Sequence, residues 1–286
     1  MSRRVRREIS RRLPKSLLIP ARRAARLFDQ FCGRMSASSS PGRIVMLHIG
    51  RCGSTVLGNL LDQHPRIFWD GEIYFDMVKE AGCIPESFDN RDFLKRRARA
   101  AGSSYYGFDI KFLDHQHLAI AQSDLSTFVS DCLAAGVTHF IILRRENYLR
   151  TFISWVVGRT RNQHHISQSE VPRTTRVSID PECFSFGHLP VKKPILQWFE
   201  HIDEAYARLR EELNGQRVLE LGYERDIMDD PFVAYKRCCE FLNIKEAAVE
   251  IQFARTNPFS VDQLLENPEE VRNALSGTPY AWMLAK

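Results

Sequence analysis

The sequence lacks long hydrophobic runs and the motifs of several large protein classes. No stretch of its 286 residues approaches the eighteen or so apolar residues of a membrane span. The motif G-x-x-x-x-G-K-[ST] of nucleotide triphosphatases and the dinucleotide motif G-x-G-x-x-G are both absent. The seven cysteines are an odd number and contain no two C-x-x-C pairs, which argues against a zinc site. We therefore expect reduced thiols and a cytoplasmic location.

Acidic residues are scarce at the N-terminus. Residues 1–43 contain twelve Arg and Lys but only two acids, a local net charge of +10. Since the whole chain carries +5, residues 44–286 carry −5. The basic character thus belongs to the tail, and the acidic body argues against a nucleic-acid partner. The turn-forming stretch at 36–42 (SASSSPG) predicts a boundary between a tail, residues 1–42, and one domain, residues 43–286.

The Arg-rich tail is open to three interpretations. Its apolar residues could insert into an anionic membrane surface while the arginines contact lipid headgroups. Its composition is also that of an organelle transit peptide. The third interpretation is a solvated, disordered arm. A secretory signal is excluded, since the one apolar patch, Leu17–Pro20, is far shorter than a signal core.

The rest of the chain is organised around residues 44–61, IVMLHIGRCGSTVLGNLL. An apolar run typical of a buried strand leads through a short loop into an apolar spacing typical of a helix. Such a junction presents unpaired backbone N–H groups and the positive end of a helix to an anion. The loop adds two glycines, two hydroxyls and one fixed charge, on Gly50, Gly53, Ser54, Thr55 and Arg51. The alternative is a plain strand–turn–helix in which Ser or Thr merely caps the helix.

Two later strands end in candidate general bases. Arg66–Trp69 predicts a short strand, and Glu72 follows it where ligand sites of α/β sheets lie. Glu72 is the first candidate base, although it could only cap the helix beginning near Tyr74. Residues 105–112 predict another strand, followed by His115 and His117, which could also act as bases.

A third buried strand runs directly into two arginines. Residues 137–143 are followed by Arg144 and Arg145, and Ser154 lies about two turns into the next helix. Arginines in that position must face an anion or solvent. The polar stretch at 159–190 lacks periodicity, and we expect it to be a substrate-facing lid.

These motifs together resemble those of sulfotransferases. The loop R-C-G-S-T-x-L is similar to the family's 5′-phosphosulfate loop, [KR]-[ST]-G-[ST]-T, except that Cys52 replaces a hydroxyl residue. Arg145 and Ser154 resemble the 3′-phosphate motif, although they lie nine positions apart where the family has eight. Residues 221–244 resemble Y-E-D-L-x-x-D-P-…-F-L-G-[IL], and 255–284 resemble the C-terminus of bacterial sulfolipid and trehalose sulfotransferases. The four matches occur in the family's order.

The resemblance implies a P-loop-like, three-layer α/β/α fold with a central, mostly parallel sheet. It implies transfer of a sulfonate group from 3′-phosphoadenosine 5′-phosphosulfate (PAPS), without a metal, to a carbohydrate, glycolipid or other small acceptor. The donor-binding residues would be Arg51, Cys52, Gly53, Ser54, Thr55, Arg144, Arg145 and Ser154. Arg145 is the first choice for the 3′-phosphate and Arg144 the second; Lys111 is a possible sulfonate contact.

The catalytic residues would be Arg51, Glu72 and His115. Arg51 and the loop amides would stabilise the leaving phosphate, and Glu72 or His115 would take the acceptor's proton. Two rivals remain. One is an NTP-dependent small-molecule kinase with a degenerate loop, and the other is a sulfotransferase fold that has lost activity and only binds.

Overall fold

The structure is a computed structural model that describes residues 40–81, 88–163, 165–187 and 191–284. The predictions for the N-terminal tail fall on residues 1–42 and lie almost wholly outside the described residues. In the described part of the chain no helix is both long and apolar enough to span a bilayer.

The strands are β1 Arg43–His48, β2 Ile67–Trp69, β3 Tyr105–Lys111, β4 His139–Arg144, β5 Ile166–Ser167, β6 Phe184–Ser185, β7 Lys192–Lys193, β8 Val218–Gly222 and β9 Phe253–Ala254. Five of them form one parallel sheet in the order β2-β3-β1-β4-β8. The short strands pair antiparallel, β5 with β9 and β6 with β7. The central strands read as continuous apolar runs because both of their faces are buried.

The helices are α1 Ser54–Gln63, α2 Ile73–Ala81, α3 Asn90–Ala98, α4 His117–Ile120, α5 Leu125–Ala134, α6 Tyr148–Arg161, α7 Ile195–Glu212, α8 Tyr223–Asp226, α9 Pro231–Phe241, α10 Val261–Leu264 and α11 Pro268–Leu275. Short 3₁₀ helices lie at Arg99–Ala101, directly after α3, and at Ala281–Leu284, after α11. Asp230 caps α9 through the N–H of Phe232, and Pro231 is the first helical residue, as the sequence predicted.

Alternate residues of the central strands enter two separate cores. Val45 and Leu47 pack with α5, α6 and α7, whereas Ile44 and Met46 pack with α1 and α9. Side chains of a strand point alternately to the two faces, so each face of the sheet carries its own helical layer. The predicted three-layer α/β/α class with a parallel sheet is therefore confirmed.

The polar stretch predicted as a lid is partly a structural element. Val177, Ile179, Phe184 and Phe186 are all buried in the larger core, and Val177 pairs with Leu265. These apolar residues form two short alternating pairs, and β6 covers only Phe184–Ser185, so the pattern is too short to predict a strand from the sequence. The prediction of a lid over the whole of residues 159–190 is to that extent wrong.

The order of the strands places the loop after β1 at a topological switch point. From β1 the chain proceeds to β2 and β3 on one side, and then crosses to β4 and β8 on the other. The crevice beyond the carboxyl ends of β1 and β4 is where open parallel sheets bind ligands. Both of the predicted anion-binding segments, at 50–55 and 144–154, begin at this crevice.

Candidate active site

The loop after β1 has a left-handed backbone at three positions. Gly50 has φ 93°, Arg51 has φ 56° and Gly53 has φ 86°. The left-handed region costs a residue with a Cβ roughly 1–2 kcal/mol, so the conformation of Arg51 must be held by its surroundings. Gly53 also has no room for a side chain, since a Cβ would lie 2.8 Å from Cγ2 of Ile227.

Helix α1 begins without a side-chain cap. Gly53 is its N-cap residue, and Ser54 and Thr55 are the first two helical residues, so neither hydroxyl residue occupies the capping position. The alternative interpretation of the motif, a Ser or Thr N-cap, is therefore wrong. Ser54 and Thr55 instead line a cavity of about 1560 Å³ together with Gly50, Arg51 and Gly53. A helix end of this kind attracts anions through its first N–H groups and its dipole.

Residues from the two predicted anion-binding segments contact each other. Nε of Arg51 donates to Oγ of Ser154 at 2.9 Å, and Nη1 of Arg145 donates to the carbonyl oxygen of Arg51 at 3.1 Å. Burial and the charge of Arg145 lower the pKa of Arg51 to about 10, so it remains a cation at neutral pH. The cavity is lined by all three of these residues.

Three further arginines, Arg150, Arg159 and Arg255, line the same cavity. Burial lowers the pKa of Arg145, and the charge of Arg255 lowers it further. Tyr223 lies under the Arg145 guanidinium, 4.6 Å from its ring centroid to the guanidinium carbon, and Glu224 lies 3.8 Å from Nε. Five arginines in the lining of one cavity suit a ligand with more than one anionic group.

Arg144 points away from this cavity. Its guanidinium pairs with Asp203 at 2.6 Å, contacts the hydroxyl of Tyr148 and lies over the ring of Tyr206. Consecutive residues at a strand end point to opposite faces, so only one of the two arginines can face the ligand. The structure places Arg145 at the cavity and leaves Arg144 in an ion pair outside its lining.

Glu72 lies at the mouth of the loop in a basic environment. Its backbone carbonyl accepts the first hydrogen bond of α2 from Asp76, but its carboxylate pairs with Nζ of Lys111 at 2.8 Å. Nε2 of His117 lies 3.5 Å from the same carboxylate oxygen. Burial opposes ionisation, yet Lys111 and His117 hold the pKa of Glu72 well below its usual range. Glu72 is therefore ionised and lines the cavity beside Arg51.

The side chain of Lys111 crosses the loop to reach Glu72. A Cβ on Gly50 would lie 3.3 Å from Cε of Lys111, so glycine at this position leaves space for the lysine. The backbone N–H of Lys111 donates to Nδ1 of His117 at 3.1 Å, which directs the opposite ring nitrogen towards Glu72. The ammonium of Lys111 thus lies between the anion-binding loop and the candidate base.

Two of the predicted residues lie apart from this group. His115 is buried against Trp198, with ring centroids 4.9 Å apart, and is outside the cavity lining. Burial and the neighbouring His201 lower the pKa of His115 to about 4. Cys52 is fully buried in the core between the sheet, α1 and α9, so its thiol also faces away from the cavity.

Some residues of the site were not predicted from the sequence. His48, at the end of β1, donates through Nε2 to Asp109 at 3.1 Å, and Asp109 accepts a second bond from Nε1 of Trp69 at 3.1 Å. These partners lie on adjacent strands, and a buried bond between strands leaves no periodic signal in a sequence. A histidine inside an otherwise apolar strand is the one available clue.

One ligand atom from each of His48, Glu72 and Asp109 lies within 4.8 Å of the others, a spacing that suits a metal ion. The ring of His48 already pairs with the carboxylate of Asp109, and the carboxylate of Glu72 already pairs with the ammonium of Lys111. A cation at this point would have to displace the Lys111 ammonium and break the His48–Asp109 bond. The local charge therefore favours an anionic ligand over a metal.

Asn257 offers hydrogen bonds that no described residue takes up. Both polar atoms of its side chain are buried without a partner, and Asn257 lines the cavity next to Arg255. An unsatisfied buried amide destabilises a fold by roughly 1–3 kcal/mol, so a ligand that pairs with it would be stabilised.

The site defines an α/β protein with an anion-binding loop at a sheet switch point. No family model and no curated protein matches the chain. Among solved structures, a sulfotransferase from Alicyclobacillus acidocaldarius is similar over 85% of this chain and 94% of its own, with 14% identity and a TM-score of 0.46. A sulfotransferase domain from the curacin biosynthetic pathway is similar over 86% and 84%, with 14% identity and a TM-score of 0.43.

Proposed function

We propose that the protein is a sulfotransferase that uses PAPS as its donor. The observation that carries the proposal is the contact between the loop after β1 and the segment after β4. Arg51 bonds Ser154, and Arg145 bonds the backbone of Arg51, although the two segments lie about a hundred residues apart. A donor with a 5′-phosphosulfate and a 3′-phosphate has two anionic ends that match these two adjoining groups of cations.

The donor end of the cavity has a residue for each anionic part. Arg51 and the first N–H groups of α1 would bind the 5′-phosphate, which becomes the leaving group. Arg145 and Ser154 would bind the 3′-phosphate, with Arg150 and Arg255 adding positive charge nearby. The unpartnered amide of Asn257 would complete the nucleotide site. Donor binding here needs no metal, because arginines supply the positive charge.

The transfer is an in-line displacement at sulfur. The acceptor oxygen forms a bond to sulfur while the bond from sulfur to the 5′-phosphate oxygen breaks, releasing adenosine 3′,5′-bisphosphate. Glu72 accepts the proton of the acceptor hydroxyl and returns it to solvent. Negative charge grows on the leaving phosphate oxygen, and Arg51 with the α1 N-terminus is placed to stabilise it.

Lys111 would connect donor binding to the strength of the base. A carboxylate with a low pKa is a weak base, and in the free protein Lys111 holds Glu72 in that state. An anionic sulfonate beside the loop would compete for the Lys111 ammonium. Loss of that ion pair raises the pKa of Glu72, so the base gains strength once the donor is in place.

The acceptor would be a carbohydrate, a glycolipid or another small hydroxyl compound. A cavity of about 1560 Å³ exceeds the roughly 300–1,000 Å³ of a typical ligand site and has room for donor and acceptor together. Phe68, Phe75 and Trp155 line it as well, and the ring of Phe75 is 41% exposed. Aromatic faces of this kind contact sugar rings and apolar chains alike.

Radiolabelled sulfate transfer tests the function. The purified protein is incubated with sulfur-labelled PAPS and an extract of lipids and sugars, and the labelled products are separated. We expect labelled acceptor products with the wild type, and a loss of orders of magnitude in turnover with Arg51→Ala at unchanged thermal stability. Near-normal transfer by Arg51→Ala would contradict the assignment of the donor site.

A kinase is the second candidate, since His48, Glu72 and Asp109 have a spacing that suits a metal ion. The parallel reaction with phosphorus-labelled ATP and Mg²⁺ decides between the two. Labelling from ATP that requires Mg²⁺, without labelling from PAPS, would favour the kinase. Nucleotide binding without transfer to any acceptor would favour a sulfotransferase fold that only binds.

A further inference from the structure

Three buried side chains hold the backbone of the anion-binding loop. Gln116 donates to the carbonyl oxygen of Ile49 at 3.1 Å, and Arg145 donates to that of Arg51 at 3.1 Å. Between them, the N–H of Gly50 donates to Nδ1 of His48 at 2.9 Å. The last bond spans two residues, as the side-chain-to-backbone bond of an Asx turn does. It fixes the Ile49–Gly50 peptide, which precedes Arg51, the residue with the strained left-handed backbone, by one residue.

These bonds determine the protonation of His48. A backbone N–H can only donate, so Nδ1 must be without a proton to accept from Gly50. Nε2 faces the carboxylate of Asp109, which only accepts when ionised, so Nε2 must carry the proton. The loop conformation thus requires the neutral ring in one tautomer. Asp109 imposes that tautomer from the neighbouring strand.

Asp109 is itself held by a tryptophan. Nε1 of Trp69 donates to the second carboxylate oxygen of Asp109 at 3.1 Å. The indole lies against Gly58 of α1 and Gly107 of β3, where an added Cβ on either residue would overlap it. Trp69 and Asp109 therefore link His48 of β1 to the packing of β2 and β3 against α1.

We propose that His48 is a positioning residue for the anion-binding loop, and that Asp109 acts through it by fixing its tautomer. In that form His48 holds the Gly50 peptide, and thereby the left-handed Arg51 and its guanidinium, in the geometry that receives the donor's 5′-phosphate. The proposal rests on the proposed function for the identity of the ligand. Its structural part, the tautomer and the Gly50 bond, can be measured without a ligand.

Opposing effects act on the charge of His48. Burial disfavours the imidazolium, whereas the neighbouring Cys52 and Asp109 favour it. The carboxylate of Glu72, which lies within 4.8 Å of a ring nitrogen of His48, favours it as well. Against these, a proton on Nδ1 would displace the Gly50 N–H and release the loop. The arrangement seen in the structure therefore selects the neutral ring.

Three variants separate the role of His48 from that of Asp109. His48→Asn keeps an acceptor oxygen for the Gly50 N–H in Asx-turn geometry, whereas His48→Leu removes it. Asp109→Asn keeps the bond from Trp69, but its amide can donate to Nε2 of His48. It then favours the tautomer with a proton on Nδ1, which cannot accept from Gly50. His139→Leu, a buried histidine near the other end of β4, is the matched control.

The first readout is the affinity for adenosine 3′,5′-bisphosphate, measured by calorimetry. We expect His48→Leu and Asp109→Asn each to weaken binding about tenfold or more, the effect of about one lost hydrogen bond. His48→Asn and His139→Leu should stay within about threefold of the wild type. Introduced into His48→Asn, the change Asp109→Asn should have little further effect, since the asparagine at 48 has no tautomer to fix.

If Asp109→Asn weakens binding equally in both backgrounds, Asp109 acts directly on the ligand and the proposal is overturned. If His48→Leu binds as the wild type does, the loop does not depend on His48 and the proposal likewise fails. Chemical unfolding of each variant separates a change in stability from a change in loop geometry.

The second readout is the ¹⁵N NMR spectrum of histidine-labelled protein without ligand. The signals of His48 are assigned by their loss in His48→Asn. We expect one protonated nitrogen, Nε2, and one bare nitrogen, Nδ1, at neutral pH, and the opposite tautomer in Asp109→Asn. A doubly protonated ring or a proton on Nδ1 in the wild type would overturn the proposal. A wild type that binds no bisphosphate but shows the expected tautomer would contradict the proposed function alone.

Discussion

At the scale of single residues, two arginines adjacent in sequence have different environments. Arg145 bonds the loop backbone and lines the cavity, whereas Arg144 forms an ion pair with Asp203 outside it. The local sequence pattern predicts that an arginine after β4 meets an anion, and only the family resemblance ranks Arg145 before Arg144. The separation follows from which face of the sheet each side chain leaves, and the register of β4 decides that.

Replacing each arginine should give different results. We expect Arg145→Ala to weaken the binding of adenosine 3′,5′-bisphosphate by about tenfold more than that of adenosine 5′-monophosphate, on the order of one lost charged hydrogen bond, because the monophosphate loses only the support that Arg145 gives to the Arg51 backbone. The control Arg144→Gln should lower thermal stability through the loss of the Asp203 pair and leave both affinities unchanged. Calorimetric titration of the two nucleotides measures this. If Arg145→Ala weakens both nucleotides equally, Arg145 does not bind the 3′-phosphate.

The ion pair of Lys111 and Glu72 predicts a change in pH dependence. Lys111 stabilises the ionised carboxylate, so Lys111→Met should raise the pKa of Glu72. Less of the base is then ionised at a given acidic pH, and the acidic limb of the kcat/KM profile for the donor, which reports the free enzyme, should move to higher pH by roughly one unit or more. Sulfonate transfer measured between pH 4 and pH 8 tests this. If the acidic limb of the Lys111→Met profile does not move, whether or not the rate falls, Glu72 is not the titrating base.

At the scale of elements, the strand–loop–helix after β1 and the helix starting at Asp230-Pro231 follow from local sequence. Their signals are an apolar run, glycines at a turn and a capping pair. The burial of residues at 177–186 is not predicted, because two short alternating pairs within a polar stretch give too weak a strand signal. The bonds of His48 and Asp109 were missed, since their partners come from neighbouring strands. Local pattern thus predicts elements and the ends of strands, but not contacts across the sheet.

Substitution of Gly53 tests whether the loop after β1 is closely packed. Its φ is 86° and a Cβ would lie 2.8 Å from Ile227, so Gly53→Ala combines backbone strain with overlap. We expect a loss of roughly 2–4 kcal/mol in the free energy of unfolding together with weaker nucleotide binding. Gly277→Ala is the control, because Gly277 has φ 71° and open space, and it should cost only about 1 kcal/mol. Equal costs in urea unfolding would contradict the close packing of the loop.

At the scale of the whole molecule, a parallel sheet with the order β2-β3-β1-β4-β8 brings two distant segments to one crevice. The α/β class and the parallel sheet were predictable, as were the loop and Arg145. The ion pair of Lys111 with Glu72 and the burial of Cys52 and His115 required the three-dimensional structure. The five arginines that line the cavity come from the loop after β1, the segment from the end of β4 through α6, and the stretch after β9, so their convergence appears only after folding.

The most direct test of the central claim is a calorimetric comparison of three nucleotides with the wild-type protein. The ligands are adenosine 3′,5′-bisphosphate, adenosine 5′-monophosphate and ATP with Mg²⁺. We predict that the bisphosphate binds about tenfold or more tightly than either of the others, since it alone engages both the loop at Arg51 and the 3′-phosphate site at Arg145. Equal affinity for the bisphosphate and the monophosphate, or tighter binding of ATP that depends on Mg²⁺, would contradict a site built for PAPS.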